Sequence, residues 1–266
     1  MTIKLNLAAD PEAFAKMSNG IITSVAGMLG CSKDDKLDLK GIRIQEDNVL
    51  IEFDNDPHDD FTLFDASIAR GIAECEAILN PLGMTIAEGV SSHIFTDAEL
   101  KSFDPSAFIF GCTPDFNALT AMRNPKPAAS DPGLRTAGGH IHFGFNQFGL
   151  NPTTDGKVMG VMCDYALGLT SLMLDNDDRR RELYGKAGSV RFKPYGVEYR
   201  TLSNFWIFNK ETRQWAWDQG HKAFNHLKDG SFMELIQIVS PEEVQRVINN
   251  NDRRMAEQYI KMTGIM

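Results

Sequence analysis

Hydrophobic and polar residues alternate in two regions near the start of the chain. Residues 3–7 (IKLNL) follow this pattern and predict a strand. Residues 42–53 predict a β-hairpin, because Ile42 and Ile44 alternate with polar residues, Asp47-Asn48 supplies a turn, and the apolar run VLIEF returns. The first part of the chain is therefore expected to contribute strands to a sheet.

A different spacing, with apolar residues every three or four positions, runs from Phe61 to Leu79. This spacing predicts a helix that buries one face. Asp59 or Asp60 is placed to cap its start, and Asn80-Pro81 is expected to end it. The apolar face consists of Phe61, Phe64, Ile68, Ile72, Cys75 and Leu79.

Helices separate the later strands irregularly. Thr96 and Glu99 form a capping-box pattern that opens a short helix, and residues 157–173 are apolar on several faces and predict a buried helix. The apolar run 107–110 (AFIF) predicts a buried strand, and the proline-rich stretch 124–133 predicts a loop. Further strands are expected at 135–145, 189–192 and 197–202, and surface helices at 211–228 and 241–262.

This order of elements has no regular βαβ rhythm, which favours an α+β fold around a mainly antiparallel sheet. No linker divides the chain, so we expect one domain over residues 1–266 with a helical tail from about residue 210. No G-x-G-x-x-G follows the first strand and no G-x-x-x-x-G-K-[ST] occurs, so neither a Rossmann nor a P-loop nucleotide site is supported.

Charge and composition reduce the number of functions that this chain could have. The formal net charge is −9, which disfavours non-specific binding to nucleic acid or anionic membranes. The four cysteines form no C-x-x-C pair and are expected to be free thiols of a reducing compartment. No apolar signal-peptide core or membrane-spanning run occurs, so we expect a cytoplasmic protein.

His140 and His142 lie two residues apart on a predicted strand, so both imidazoles project from one face. Ile141 and Phe143 then point into a core, and the neighbouring glycines keep the polar face open. Paired imidazoles on a strand suit a metal ion or a phosphate. The alternative interpretation of an isolated H-x-H is two hydrogen-bonded histidines beside a turn.

Carboxylates occur on other predicted strands. Glu198 and Arg200 share one strand face, which alone favours a structural ion pair. Glu52 lies inside the apolar run VLIEF, and Asp10 and Glu12 follow the first strand. Several carboxylates with imidazole and no thiolate would select Mg²⁺ or Mn²⁺ over zinc.

Basic residues concentrate between Arg179 and Arg200. Arg179 to Arg181 are expected to be a solvated charge run, whereas Arg191 and Arg200 lie in strands with apolar neighbours. Strand arginines beside metal ligands are what triphosphate chemistry requires. The basic residues of this window are Arg179, Arg180, Arg181, Lys186, Arg191, Lys193 and Arg200, seven of the 27 in the chain.

Four motifs in this order resemble the glutamine-synthetase-like carboxylate-amine ligases. The motifs are ADPE (9–12), NVLIEF (48–53), GGHIHFG (138–144) and VEYR (197–200). The longer stretches QEDNVLIEF, FGCTPDFNA, RTAGGHIH and ELYGKAGSVRFKPYGVEYRTLSNFW are similar to the phage-encoded COOH-NH2 ligase branch. The resemblance runs from about residue 8 to residue 208.

The resemblance implies a curved, mainly antiparallel sheet with helices on its convex side and with ATP and metals on the other. It implies ATP- and Mg²⁺- or Mn²⁺-dependent amide formation through an acyl phosphate, from small-molecule or peptide carboxylate and amine substrates. If the protein is phage-encoded, the compartment is the bacterial host cytoplasm.

The resemblance also assigns roles to residues. Arg200, Glu198 and Arg191 would be catalytic. Asp115 and Asn117 lie in a predicted loop and would contact substrate, and an Asx-rich turn is the alternative explanation of these two residues. The expected metal ligands are Glu12, Glu52, His140, Glu198 and Asp10. The expected nucleotide-binding residues are His142, Arg135, Arg191, Lys193 and Arg200.

Two other functions fit parts of the pattern. Cupin metal enzymes also carry H-x-H on a strand, but they require a glutamate three to five positions later, and residues 145–147 are Phe, Asn and Gln. A degenerate ligase fold acting as a phage or host interaction protein would not need to retain every expected metal ligand, and this chain retains them.

Overall fold

The computed structural model describes residues 4–108, 115–125 and 131–266. In these residues no helix is long and apolar enough to cross a membrane. The strands are β1 Asn6–Ala13, β2 Ala15–Met17, β3 Ile22–Thr23, β4 Leu37–Asp38, β5 Ile42–Asp47, β6 Leu50–Asn55, β7 Met84–Ile86, β8 Ser92–Ile94, β9 Phe116–Asn117, β10 Leu134–Thr136, β11 Gly139–Gly144, β12 Ser189–Lys193 and β13 Gly196–Tyr199. The helices are α1 Phe61–Leu79, α2 Asp97–Ser102, α3 Thr154–Cys163, α4 Arg180–Leu183, α5 Lys210–Asp229, α6 Phe232–Ile238, α7 Pro241–Asn249 and α8 Arg253–Thr263.

The main sheet has eight strands in the order β4-β5-β6-β1-β11-β13-β12-β9. Every pairing within it is antiparallel. It ends at β4 and β9 and does not close into a barrel. The predicted α+β class with a mainly antiparallel sheet is therefore confirmed.

One face of this sheet is apolar and carries the core. Ile141 and Phe143 of β11 and Val197 and Tyr199 of β13 are fully buried. Helices α1 and α3 pack on the strands, Gly220 of α5 lies against Phe143, and glycines allow a close approach. A Cβ on Gly160 of α3 would lie 2.7 Å from Val190 Cγ1, so a larger residue there would push the helix off the sheet. The opposite face is left to the polar residues of the same strands.

The predicted helices are largely confirmed. Helix α1 spans Phe61–Leu79, and Asp60 caps it by accepting a hydrogen bond from Leu63 N. The Thr96–Glu99 capping box is also present. The buried helix expected at 157–173 begins at Thr154 and continues beyond Cys163 as a π-helical segment, Asp164–Leu169. In the tail, 211–228 corresponds to α5, and 241–262 divides into α7 and α8.

Several strand predictions need correction. Strand β1 spans Asn6–Ala13 rather than 3–7, so Asp10 and Glu12 lie inside it. The strand expected at 135–145 is interrupted at Ala137-Gly138, because Gly138 pairs with Ser203 instead. Residues 107 and 108 end a 3₁₀ helix rather than forming a strand, and residues 109–110 lie outside the described residues.

Three further predictions concern Arg200, the cysteines and the loop at 124–133. Strand β13 ends at Tyr199, so Arg200 directly follows the strand. Cys31, Cys75 and Cys163 are free thiols, as expected, and Cys112 lies outside the described residues. The loop expected at 124–133 is described only at 124–125 and 131–133, and these residues form no helix or strand.

Replacing Phe143 by alanine should destabilise the fold strongly. The ring is fully buried between the sheet and α5, and emptying such a site typically costs about 3–5 kcal/mol. The free energy of unfolding in urea would show the loss. Phe108→Ala is the matched control, because Phe108 is 48% exposed and its truncation should cost little. Equal losses in the two variants would contradict the assignment of the core face.

Candidate active site

A row of charged side chains crosses the polar face of the main sheet. Residues directly opposite each other on antiparallel strands share a face. Glu52 of β6 pairs with Glu12 of β1, and His142 of β11 pairs with Glu198 of β13. The same face continues through the further pairs Gln45↔Glu52, Asp10↔His140 and Arg191↔Glu198. The pleat of six adjacent strands therefore brings together residues far apart in sequence.

The first cluster of potential metal ligands consists of Glu12, Asp47 and Glu52. One oxygen from each lies within 4.8 Å of the other two. Glu12 Oε2 also accepts a 2.6 Å hydrogen bond from Gly138 N, which fixes its position. Gln45 Nε2 donates to Glu52. Among the described residues, the buried Gln45 Oε1 has no hydrogen-bond partner and adds an unused acceptor here.

Asp47 belongs to this cluster although its sequence context predicts only a turn. It is the last residue of β5, two positions after Gln45, so the alternation of the strand returns it to the polar face. That register was the signal available in the sequence. Turn chemistry at Asp47-Asn48 and a functional carboxylate are compatible at this position.

Burial and mutual repulsion make the first cluster hard to ionise. Burial, together with Asp10, Asp47 and Glu12, raises the pKa of Glu52 well above its ordinary value. Burial likewise raises the pKa values of Glu12 and Asp47. A divalent cation would relieve this repulsion, because it favours the ionised form of each carboxylate.

The second cluster consists of Asp10, His142 and Glu198, again with one ligand atom from each within 4.8 Å of the others. His142 Nε2 lies 3.1 Å from Asp10 Oδ1, and His142 Nδ1 lies 2.6 Å from the hydroxyl of Tyr195. Burial opposes ionisation of Asp10, but His142 and His140 hold its pKa well below the ordinary value. Burial also disfavours charge on His142, and Asp10 overrides it and raises the pKa of this imidazole.

Three basic side chains surround the fully buried Glu198. Arg191 Nη1 lies 3.2 Å and Lys193 Nζ 3.0 Å from its carboxylate, and Arg200 donates to Oε1. Burial and Asp10 raise the pKa of Glu198, but Arg200, His142 and Arg191 outweigh them and lower it to about 2. Glu198 therefore stays ionised, and the Glu198–Arg200 ion pair considered from the sequence is present within a larger cluster.

His140 lies beside the second cluster, between two guanidinium groups. Its Nδ1 is 3.4 Å from Asp10 Oδ1 and 3.3 Å from Arg200 Nη1, and its Nε2 is 3.5 Å from Arg180 Nη2. Burial and then Arg200 lower the pKa of His140, so the imidazole is neutral. A neutral imidazole is the form that binds metals. The structure groups His142 rather than His140 with the carboxylates, and the metal role of His140 stays a prediction.

The expectation of a solvated run at Arg179–Arg181 is wrong for two of its three members. Arg179 is on the surface and pairs with Glu182 at 3.2 Å. Arg180 and Arg181 are buried, because the one-turn helix α4 packs beneath the site. Arg180 Nη2 donates to the carbonyl of Arg200 and reaches His140. Burial lowers the pKa values of both Arg180 and Arg181.

The remaining predicted site residues are distributed around this row. Arg135 is buried on β10 and donates to Asn48 Oδ1, beside Asp47, and to two backbone carbonyls. Asp115 Oδ2 is 3.9 Å from Arg200 Nε. The side chain of Asn117 bonds its own loop and Gln245 of α7.

A cavity of about 450 Å³ opens beside the second cluster. Its wall includes Asp10, Arg43, Asp54, His142, Lys193 and Tyr195. Arg43 and Lys36 both pair with Asp54 there. The cavity has the size of a typical small-molecule site and basic groups near its mouth.

The donor set fits a hard divalent cation. Both clusters offer carboxylate oxygens, one adds an imidazole, and neither contains a thiolate. Oxygen-rich sites of this kind suit Mg²⁺ and Mn²⁺. Glu12, Glu52, Asp10 and Glu198 were predicted as ligands, and all four fall in these two clusters.

Mg²⁺ should raise the melting temperature, and by more at about pH 8 than at about pH 6. The raised pKa values of Glu12, Asp47 and Glu52 mean that the metal-free fold holds protons there that the unfolded chain has released. Their contribution to stability is therefore present at low pH and is lost as the pH rises through those pKa values. Mg²⁺ competes with the same protons, so its stabilising effect grows with pH, as thermal melts with and without MgCl₂ would show.

Glu52→Gln should remove most of this Mg²⁺ effect, because it keeps the shape but lowers the charge of the first cluster. Glu257→Gln is the matched control, since Glu257 forms a surface pair with Lys261. If Mg²⁺ leaves the melting temperature of the wild-type protein unchanged at both pH values, the metal assignment is wrong.

Comparison with known proteins finds similarity to a family of carboxylate-amine ligases. No curated protein matches the chain. The family model described as Phage phiEco32-like COOH.NH2 ligase-type 2 matches residues 132–257. This segment contains His140, His142, Arg191, Glu198 and Arg200, whereas Asp10, Glu12, Asp47 and Glu52 precede it. Residues 132–257 are thus similar to the phage phiEco32-like COOH.NH2 ligases of type 2, the branch that the sequence motifs resemble.

Proposed function

We propose that this protein joins a carboxylate to an amine in an ATP- and Mg²⁺-dependent reaction that passes through an acyl phosphate. The observation that carries the proposal is the polar face of the main sheet. There, two potential metal sites lie beside the basic residues Arg191, Lys193 and Arg200, which contact Glu198 of the second site. The match to a carboxylate-amine ligase family supports the reaction class.

The charge distribution supports phosphate binding. The first cluster would hold one Mg²⁺ through Glu12, Asp47 and Glu52, and the second would hold another through Asp10, His142 and Glu198. Bound there, Mg²⁺ would neutralise phosphate charge and polarise the bond that breaks. Lys193 lies between Glu198 and the cavity of about 450 Å³, which is large enough for part of a nucleotide. We assign the phosphates to this end of the row and the nucleoside to the cavity.

Arg200 is the group best placed to handle the transferred phosphoryl group. Its guanidinium contacts Glu198, His140 and Asp115, so it lies where the two clusters and the loop of Asp115 meet. Arg191 shares the same carboxylate from the neighbouring strand. Fixed guanidinium groups in a buried site stabilise developing phosphoryl charge without reorganisation.

Asp115 is the carboxylate we assign to the amine substrate. The carboxylates of both metal clusters are committed to cations, whereas Asp115 lies beside Arg200 with its side chain 23% exposed. An amine is protonated in neutral water, and a carboxylate both binds an ammonium group and accepts its proton. Asp115 would first take one proton from the ammonium group, which frees the nitrogen lone pair to form the C–N bond. The second proton would leave with the phosphate as the C–O bond to phosphate breaks.

The alternative functions have less support. A cupin barrel requires a closed sheet, and the main sheet formed by the described residues is open at β4 and β9. A degenerate, non-enzymatic ligase fold predicts that ATP is neither bound nor consumed, which the two experiments below test.

Arg200→Lys should reduce turnover by about 10²–10³ while largely preserving the fold. Lysine keeps the charge, but it loses the planar fork that contacts Glu198 and a phosphate together. The measurement is ATP-dependent product formation alongside the melting temperature. The matched control is Arg179→Lys, because Arg179 lies on the surface in the same basic run. Unchanged turnover with a collapsed melting temperature would make Arg200 structural.

Hydroxylamine should intercept the acyl phosphate and yield a hydroxamate. The reaction needs ATP, Mg²⁺ and the correct acid, so a panel of amino acids, dicarboxylates and peptides is screened, with glutamate first. Glu198→Gln should abolish the product, because it removes a charge from the second cluster. With the acid known, oxygen-18 in its carboxylate should appear in the released phosphate. If the label never appears there, the carboxylate is not phosphorylated and the mechanism is wrong.

A further inference from the structure

Asp164 is a buried carboxylate that the proposed reaction does not use. It opens the π-helical segment Asp164–Leu169 and is 1% exposed. Its Oδ1 accepts hydrogen bonds from Gly188 N and from the Tyr199 hydroxyl, both at 2.8 Å. Its Oδ2 accepts from Gln245 Nε2 of α7 at 3.0 Å. A carboxylate this well satisfied costs less to bury and holds three separate elements together.

The chain of hydrogen bonds continues from Gln245 to the loop of Asp115. Gln245 Oε1 accepts from Asn117 Nδ2 at 3.0 Å. Asn117 Oδ1 in turn accepts from the backbone N–H groups of Leu119 at 2.9 Å and Thr120 at 3.1 Å. The chain of side chains Asp164–Gln245–Asn117 therefore runs from the core to an exposed turn, and we call it the amide relay.

An acceptor at one end, Asp164, and the backbone N–H donors at the other fix the direction of every bond in the amide relay. Burial raises the pKa of Asp164 to about 6, so the carboxyl is mostly ionised at neutral pH. An ionised carboxylate can only accept, so Gln245 must turn its NH₂ group toward it and its carbonyl toward Asn117. Asn117 must then turn its own NH₂ group toward Gln245, which leaves its carbonyl for Leu119 and Thr120. Reversing either amide would set two donors against each other.

The backbone makes room for the amide relay at Gly188. This residue has a φ of +72°, and a Cβ there would lie 2.3 Å from Gln245 Nε2. Only glycine combines that conformation with so close an approach. Gly188 directly precedes β12, so the amide relay passes the start of the strand that carries Arg191 and Lys193.

The amide relay meets the proposed reaction centre on two sides. Asn117 of β9 pairs with Ser189 of β12, and its loop holds Asp115 Oδ2 at 3.9 Å from Arg200 Nε. At the other end, Asp164 fixes Tyr199, which lies between Glu198 and Arg200 in the chain. Asp164 thus contacts Tyr199 directly and reaches the loop of Asp115 through Gln245 and Asn117.

We propose that Asp164 is a positioning residue that, through Gln245 and Asn117, sets the orientation of the Asp115 loop relative to Arg200. The catalytic relevance of this positioning rests on the proposed function, whereas the positioning itself is a property of the fold. Helix α7 is accordingly part of the active-site architecture rather than a peripheral tail.

Asp164→Asn tests the amide relay at one atom. Asparagine keeps an oxygen for Gly188 and Tyr199 but presents its NH₂ group to the NH₂ group of Gln245. Two donors then face each other at this step of the amide relay. The N–H groups of Leu119 and Thr120 should then exchange with deuterium roughly fivefold to tenfold faster, as expected for one weakened hydrogen bond. NMR measures this exchange residue by residue, and the melting temperature shows whether the fold persists.

Asp164→Asn combined with Gln245→Glu should rescue the amide relay. The new asparagine donates to the new glutamate, which accepts from Asn117 as glutamine did. Exchange at Leu119 and Thr120 should return to within about twofold of wild type, an outcome that general destabilisation would not produce. Asp218→Asn is the matched control, because Asp218 accepts an exposed hydrogen bond from Gln214 and lies outside the amide relay.

Two results would overturn the proposal. One is unchanged exchange in Asp164→Asn, and the other is a double variant that exchanges as fast as the single one. If Asp164→Asn fails to fold, Gln245→Leu gives the same test, because it cuts the amide relay and leaves Asp164 its other two donors; unchanged exchange there overturns the proposal equally. Exchange needs no substrate, so this test stands even if no hydroxamate forms and the proposed function fails.

Once an acid substrate is known, the KM for the amine should rise at least fivefold in Asp164→Asn and should recover in the double variant. The KM for ATP should stay unchanged in both variants. Equal changes in both KM values would count against positioning of the Asp115 loop.

Discussion

The concentration of negative charge on one face of a sheet is the constraint on which this structure depends. Asp10, Glu12, Asp47, Glu52 and Glu198 all project from the polar face, and they are mostly shielded from water. Glu198 is compensated within the protein by Arg191, Lys193 and Arg200. The cluster of Glu12, Asp47 and Glu52 lacks such ion-pair partners among the described residues, and burial, followed by repulsion between carboxylates, raises its pKa values. At this one place the described part of the folded chain thus has negative charge without compensating ion pairs, which we call a cation deficit.

That deficit requires a rigid support, because buried like charges would otherwise separate. The apolar face of the same strands supplies it, with Ile141, Phe143 and Val197 fully buried against helices. Alternation along a strand therefore has two effects. Each apolar residue of β11 or β13 packs into the core, and its neighbour along the chain then lies on the polar face. His140 and His142 are held on the polar face by the residues between and after them.

Much of the sheet and of the candidate site could be predicted from the sequence, because the patterns that specify them are local. A period of two identifies the strands, and H-x-H and E-x-R place their polar residues on one face. Asp47 was missed as a ligand because its turn and its strand register overlap. Arg180 was misjudged because burial of a four-residue helix is decided by what packs over it. The amide relay joins residues 128 positions apart, Asn117 and Gln245, and no local pattern reports such a contact.

The family match and the sheet order together show how the site is divided along the chain. Residues 132–257 contain Glu198 with its basic neighbours, and they also contain Asp164 and Gln245. The carboxylates of the first cluster come from β1, β5 and β6, before that segment. Strand β1 lies between β6 and β11, so backbone pairing joins the two parts. Without β1, the matched segment would expose the edge of β11 and lose Asp10 from beside His142, so the segment that matches the family model does not by itself contain the complete candidate site.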